Sequence, residues 1–174
     1  RSSNAKVTSA RRSYDEFIAS LDWELARLFE AFEKNGIFEN SYVIVTSDHG
    51  EMFERGEKAH STPLLYDPVV HIPFLVSAPG QKTRSDIYAP THAVDVFPTL
   101  MKLVGKPLPA WGEGEPLPGL GGVEDYERGT FTVESKRNSS LRPLQRAAIA
   151  LRKGTYKLIY YTGYEAQDSF ELYN

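Results

Sequence analysis

An α/β fold with a small C-terminal antiparallel sheet is predicted by three features of the sequence. Apolar residues repeat at helical spacing early in the chain, an unalternating apolar run follows a short turn, and short strand patterns fill the last third. A long helix leading by a short loop into a buried strand is half of a βαβ unit, which is the signature of α/β architecture.

Tyr14, Phe17, Ile18, Leu21, Leu25, Leu28, Phe29 and Phe32 recur at the spacing of one helical face. Thr8 or Ser9 is suited to cap the start, and Gly36 to end the helix. The intervening Asp15, Glu16, Glu24, Arg27, Glu30 and Lys34 read as a solvated outer face, while Trp23 lies off the apolar stripe. Glu39-Asn40 turns the chain into Ser41 to Thr46, whose lack of alternation predicts burial on both faces. A second apolar run, Ile72 to Val76, carries Pro73 at its beginning, where a missing N–H is tolerated.

Thr91 to Asp95 then leads into Phe97, Leu100, Met101, Leu103 and Val104, a short amphipathic helix closed by Gly105, and Pro98 fits only its first turn. Pro and Gly crowd the stretch from Lys106 to Gly122, which predicts a surface loop or linker with no packed element of its own. Short strands follow at Thr130 to Glu134, Ala147 to Leu151, Tyr156 to Tyr161 and Phe170 to Tyr173, with Arg152-Lys153-Gly154-Thr155 as a hairpin turn. Two parts are expected, an α/β part over 1–122 and a small antiparallel β subdomain over 123–174.

The 174 residues suffice for one core, or one domain with a small appendage. A composition of 41% hydrophobic and 25% charged residues is that of a folded protein, and a formal charge of -3 leaves no basic footprint for nucleic acid. Without cysteine, any metal here must be held by oxygen and imidazole ligands. No run of about 18 apolar residues is present to span a membrane. The opening Arg1-Ser2-Ser3-Asn4 and the closing Glu171-Leu172-Tyr173-Asn174 suggest part of a longer protein.

Asp48-His49-Gly50-Glu51 stands directly after the strand run Tyr42 to Thr46 and Ser47. At the C-terminal edge of a strand, side chains leave the core where α/β sheets bind ligands, and Gly50 permits close backbone approach. A carboxylate and an imidazole there could bind a metal; taken alone, the same residues also fit an ordinary turn with an exposed His.

The order of the neighbouring segments is more specific. The long helix, the strand, Thr46-Ser47-Asp48-His49-Gly50-Glu51, a polar loop with Gly56 and His60, Leu65-Tyr66-Asp67, His71 to Val76, Pro79-Gly80, then Asp95 to Leu100 with Gly105, follow in sequence. Late in the chain come Gly154 to Ile159 and Glu171-Leu172-Tyr173. This series resembles the C-terminal part of the sulfatases, within the alkaline phosphatase superfamily, over about residues 10–174.

The resemblance implies that 1–122 is the C-terminal part of the catalytic α/β domain, and that Asp48 and His49 match the pair that helps hold one divalent metal, usually Ca²⁺. A hard Ca²⁺ or Mg²⁺ favours the carboxylate, whereas Zn²⁺ or Mn²⁺ would make more of the imidazole. His60 lies where relatives place a His or Lys that contacts the ester or protonates the leaving oxygen, chemistry suited to a tunable imidazole. Thr62 stands where many sulfatases have a Lys, so Lys58 and His60 share that candidacy. Glu51 reads either as an orienting partner of His49 or as a solvated side chain. His71 reads as a hydrogen-bonded wall residue and His92 as a cap or loop-packing residue.

The family's nucleophile signature, a Cys or Ser followed by Pro and Arg at fixed spacing, has no match here. Ser61-Thr62-Pro63 lacks the Arg, and Ser140-Leu141-Arg142-Pro143 has the wrong spacing. The resemblance therefore implies a metal-dependent hydrolase of small-molecule or glycan sulfate esters whose nucleophile lies in N-terminal sequence absent here, with these residues alone inactive. Two alternatives stay open: a phosphodiesterase, phosphonate monoester hydrolase or phosphoethanolamine transferase of the same superfamily, and a non-catalytic module that keeps the fold.

Overall fold

The computed structural model describes residues 4–55, 58, 60, 63–136, 143–164 and 168–174. Gly56, Ser61, Thr62, Ser140, Leu141 and Arg142 lie outside the described residues. The chain divides into two compact units, Arg1–Arg84 and Ser85–Asn174. The boundary expected after residue 122 falls inside the second of them.

In the first unit, α1 (Asn4–Lys34) is followed by the single turn α2 (Ile37–Asn40), the strand β1 (Val43–Thr46), a second single turn α3 (Asp67–Val70) and the strand β2 (Phe74–Ser77). Helix α1 begins by Asn4, so Thr8 and Ser9 lie within it rather than at its cap. Gly36 ends it as expected, in the left-handed region with φ 65°. Phe29 and Phe32 pack with Phe38 of α2 at ring separations of 6.0 and 5.9 Å and with each other at 6.3 Å, and Tyr14 meets Phe53 at 5.2 Å.

Much of the apolar stripe is nonetheless exposed, including Phe17, Ile18, Leu21 and Leu28. Thirty-one residues of helix reach about 46 Å, far beyond the single-turn α2 that its C-terminal phenylalanines pack on.

β1 pairs with β2 in antiparallel fashion, Val43 opposite Ser77 and Thr46 opposite Phe74. Thr46 Oγ1 adds a hydrogen bond of 2.9 Å to the Pro73 carbonyl. Burial of β1 on both faces is not seen: three of its residues are half-buried and Thr46 is exposed. Its apolar composition is that of a sheltered central strand, but its one paired neighbour among the described residues is β2.

The second unit opens with a 3₁₀ turn, Ala93–Asp95, running into α4 (Val96–Leu103). Pro98 occupies the first turn of α4, where no helical partner for its nitrogen is needed. Gly105, with φ 66°, closes the helix as the Lys106 N–H returns to the Met101 carbonyl and the Gly105 N–H to that of Lys102.

Four strands follow, β3 (Thr130–Glu134), β4 (Ala147–Lys153), β5 (Tyr156–Thr162) and β6 (Ser169–Tyr173), joined as an antiparallel meander in that order. Gly154, φ 56°, takes the first central position of the two-residue β4–β5 turn, where a positive φ is required. Ala147, Ala148, Ala150, Ile159 and Tyr161 are buried, and alternate residues of β5 face inward.

The Pro- and Gly-rich stretch holds no helix or strand, as expected of a surface loop or linker, but it is pinned by specific contacts. Leu117 is buried and its N–H donates to Thr99 Oγ1 at 2.8 Å, while Thr99 Oγ1 donates to the Asp95 carbonyl at 2.6 Å. The loop is thereby fastened to α4 by the helix's own buried hydroxyl.

Candidate active site

β1 delivers Ser47 and Asp48 beyond its last paired residue, and Gly50 fixes the course of the chain past them. The Gly50 N–H donates to the Val69 carbonyl at 2.8 Å. A Cβ at Gly50 would lie 2.1 Å from the Pro68 carbonyl oxygen, so only glycine lets the two backbones meet. Met52, two residues on, is fully buried. Between β1 and these anchors, Asp48 and His49 are held at an exposed corner.

Asp48 Oδ1 accepts the His49 backbone N–H at 2.9 Å, while Oδ2 makes no hydrogen bond among the described residues on a side chain that is 88% exposed. The His49 ring lies with Nδ1 2.9 Å from the Gly50 carbonyl oxygen. A carbonyl only accepts, so Nδ1 carries the proton and Nε2 presents a lone pair. That lone pair stands 3.7 Å from Asp48 Oδ2. Two ligands bound to one cation at about 2.3 Å are separated by about 3.3–3.8 Å at ordinary coordination angles, so the spacing suits a shared divalent ion. Among the described residues, no cluster of three or more acidic or imidazole groups is placed to enclose one. What the described residues place at this corner is one carboxylate oxygen and one imidazole nitrogen, 3.7 Å apart.

His60 joins the corner from the loop beyond Met52. Its ring stacks on that of His49, with centroids 4.6 Å apart and planes 12° from parallel. Its Nδ1 lies 2.7 Å from Glu51 Oε2, and the Glu51 side chain is only 12% exposed. Glu51 thus partners His60, rather than His49 or the solvent to which its sequence position also suits it. The i+9 separation carries no local periodicity by which the pair could be found. Lys58 is exposed.

The remaining histidines stay outside this cluster. His71 closes α3 with its N–H on the Asp67 carbonyl and is exposed, not the wall of a buried strand. In the second unit His92 caps the 3₁₀ turn: its Nδ1 accepts the Val94 N–H at 3.3 Å, and its Nε2 bonds the Phe131 carbonyl.

Beside it, Asp95 is fully buried. Oδ1 accepts the Glu115 N–H at 3.0 Å and Oδ2 the His92 N–H at 2.8 Å, while Arg128 clamps both oxygens at 2.7 Å. Burial pushes the Asp95 carboxyl up, but the hydrogen bonds from Arg128 and from the Glu115 and His92 backbone outweigh it and hold it below the usual range. A carboxylate with all its lone pairs engaged has none left for a ligand.

The Sulfatase family model matches residues 1–106, a span that contains Asp48, His49, Lys58 and His60. The chain belongs to the sulfatase family. It is similar to arylsulfatase K of Canis lupus familiaris, 30% identical over 104 residues, which is 60% of this chain and 19% of that protein. Steryl-sulfatase of Rattus norvegicus is 29% identical over 114 residues, 58% of this chain and 20% of that protein. A solved structure of BT4656 with its substrate, D-glucosamine-2-N,6-O-disulfate, superposes with a TM-score of 0.73 at 22% identity, over 90% of this chain and 32% of that one. The fold is a partial sulfatase fold, and the chain spans about a fifth of the length of the curated relatives it matches.

Proposed function

We propose that this chain supplies one edge of the active centre of a metal-dependent hydrolase that cleaves sulfate esters of small molecules or glycans. The nucleophile and the remaining metal ligands belong, on this reading, to sequence outside these residues. One observation carries it: Asp48 Oδ2 and His49 Nε2 lie 3.7 Å apart, a spacing one cation could bridge, with the Gly50 carbonyl holding His49 Nδ1. Relatives named for aryl and steryl sulfates support the ester class.

Asp48 and His49 would hold the ion, Ca²⁺ first, with Mg²⁺, Mn²⁺ or Zn²⁺ as other occupants. When bound, such an ion neutralises the oxyanion ester and polarises its oxygens. The chain's own contribution to bond breaking falls to His60, with Lys58 as the other cation in reach of the role by sequence. As the nucleophile's oxygen attacks sulfur and the S–O bond to the alcohol breaks, the leaving oxygen takes the proton on His60 Nε2.

The test is turnover by the mature, metal-replete polypeptide that contains this chain, offered an aryl sulfate and a bis-aryl phosphate side by side. Faster cleavage of the sulfate is expected. Preference for the phosphate would replace the reading with a phosphoryl-transfer enzyme, and turnover of neither would leave a non-catalytic module.

A further inference from the structure

We infer that Glu51 is the positioning residue of His60: its carboxylate accepts a hydrogen bond from the Nδ1–H of that imidazole and leaves Nε2 as the nitrogen that meets the ester. The bearing on catalysis rests on the sulfatase reading above; the location of the proton on the ring does not.

Glu51 is fastened at both sides, by the Gly50 N–H on the Val69 carbonyl and by the fully buried Met52. Its side chain is largely shielded, and Oε1 is buried with no hydrogen-bond partner among the described residues. A shielded carboxylate is costly unless donors reach it, and His60 Nδ1, 2.7 Å from Oε2, is the donor the fold brings there. An ionised carboxylate only accepts, so the proton sits on Nδ1.

The stack on His49 constrains the second freedom, the plane of the ring. Together the two contacts give a loop histidine one tautomer and one orientation. When the ring is charged, the Nδ1 proton stays in the bond to Glu51, and only the Nε2 proton can pass to a leaving oxygen. A carboxylate performs the same orienting service for the histidine of a hydrolytic triad.

The experiment is a long-range ¹H–¹⁵N correlation spectrum of the polypeptide with labelled imidazoles, recorded about two pH units above the ordinary histidine value so that the rings are neutral. His60 is expected as the Nδ1–H tautomer in the wild type. Glu51→Leu should move it toward Nε2–H, whereas Glu51→Gln, whose side-chain oxygen still accepts, should preserve Nδ1–H. In parallel, Glu51→Leu should lower kcat by about 10–100-fold with little change in KM, and Glu51→Gln should recover much of it.

An Nε2–H tautomer in the wild type, or an unchanged tautomer in Glu51→Leu, would overturn the assignment. If Glu51→Leu fails to fold, the wild-type spectrum decides alone. Absence of ester turnover alongside an intact Nδ1–H tautomer would overturn the hydrolase reading and support the hold of Glu51 on His60.

Discussion

Asp48 with His49 and Asp95 with His92 are two clusters of the same chemistry, one in each compact unit, and the fold treats them oppositely. Asp95 is fully buried, and both its oxygens receive two donors each, from Arg128 and from the backbone of His92 and Glu115. His92 likewise spends both ring nitrogens on backbone groups. Asp48 is 88% exposed, and among the described residues its Oδ2 and the His49 Nε2 hydrogen-bond to nothing, while His49 commits Nδ1 to the Gly50 carbonyl. An acid and an imidazole become a joint of the fold when all their bonds are spent internally, and a candidate site when some are held back in fixed directions.

Substitutions can break this contrast. The largest expected effect is that of Asp48→Ala in the active polypeptide. If Asp48 holds the proposed ion, its loss should lower turnover by on the order of 10³-fold, while stability shifts by no more than about 0.5 kcal/mol. Initial rates and urea unfolding measured on one preparation check both halves; retention of most activity would remove Asp48 from the metal site.

Asp95→Ala should do the reverse. It strands Arg128, whose side chain is only 18% exposed, and should destabilise by about 3 kcal/mol in urea unfolding. Activity should fall only with the folded fraction.

Acid offers a milder version of the same experiment. Because the folded Asp95 carboxyl lies below its ordinary value, its stabilisation is present above that value and is lost as pH falls through the lowered one. The urea midpoint should therefore hold steady above about pH 5 and drop below about pH 4.

Gly50→Ala should cost about 1–3 kcal/mol through backbone overlap with Pro68, and should reduce turnover further by displacing Asp48 and His49. The smallest effect separates the two candidate proton donors. If His60 is the acid, Lys58→Ala should change kcat by less than about threefold, against on the order of 10²-fold for His60→Asn; the opposite ranking would transfer the role to Lys58.

Much of the fold is legible in the residues. The helix ending at Gly36, the strand before Asp48, the capped helix with Pro98 in its first turn and the four late strands all follow from periodicity and turn chemistry, which act over a few residues. The sequence misleads where composition stands in for packing. The residues of β1 read as buried on both faces, yet β1 lies in a two-stranded ribbon. The stretch from Lys106 to Gly122 holds no helix or strand, as a loop or linker should, yet Thr99 and Asp95 fasten it to α4 and the turn before it. In each case the deciding contact joins residues far apart in sequence.

The sequence by itself determined the element types, the family resemblance and the candidacy of Asp48, His49, Lys58 and His60, because each of these is carried by local pattern or by the order of motifs. Only the tertiary structure decided that Glu51 belongs to His60, that His60 stacks on His49, and that Asp95 is spent on Arg128. Side-chain partnership depends on where loops return in space, and no local periodicity encodes that.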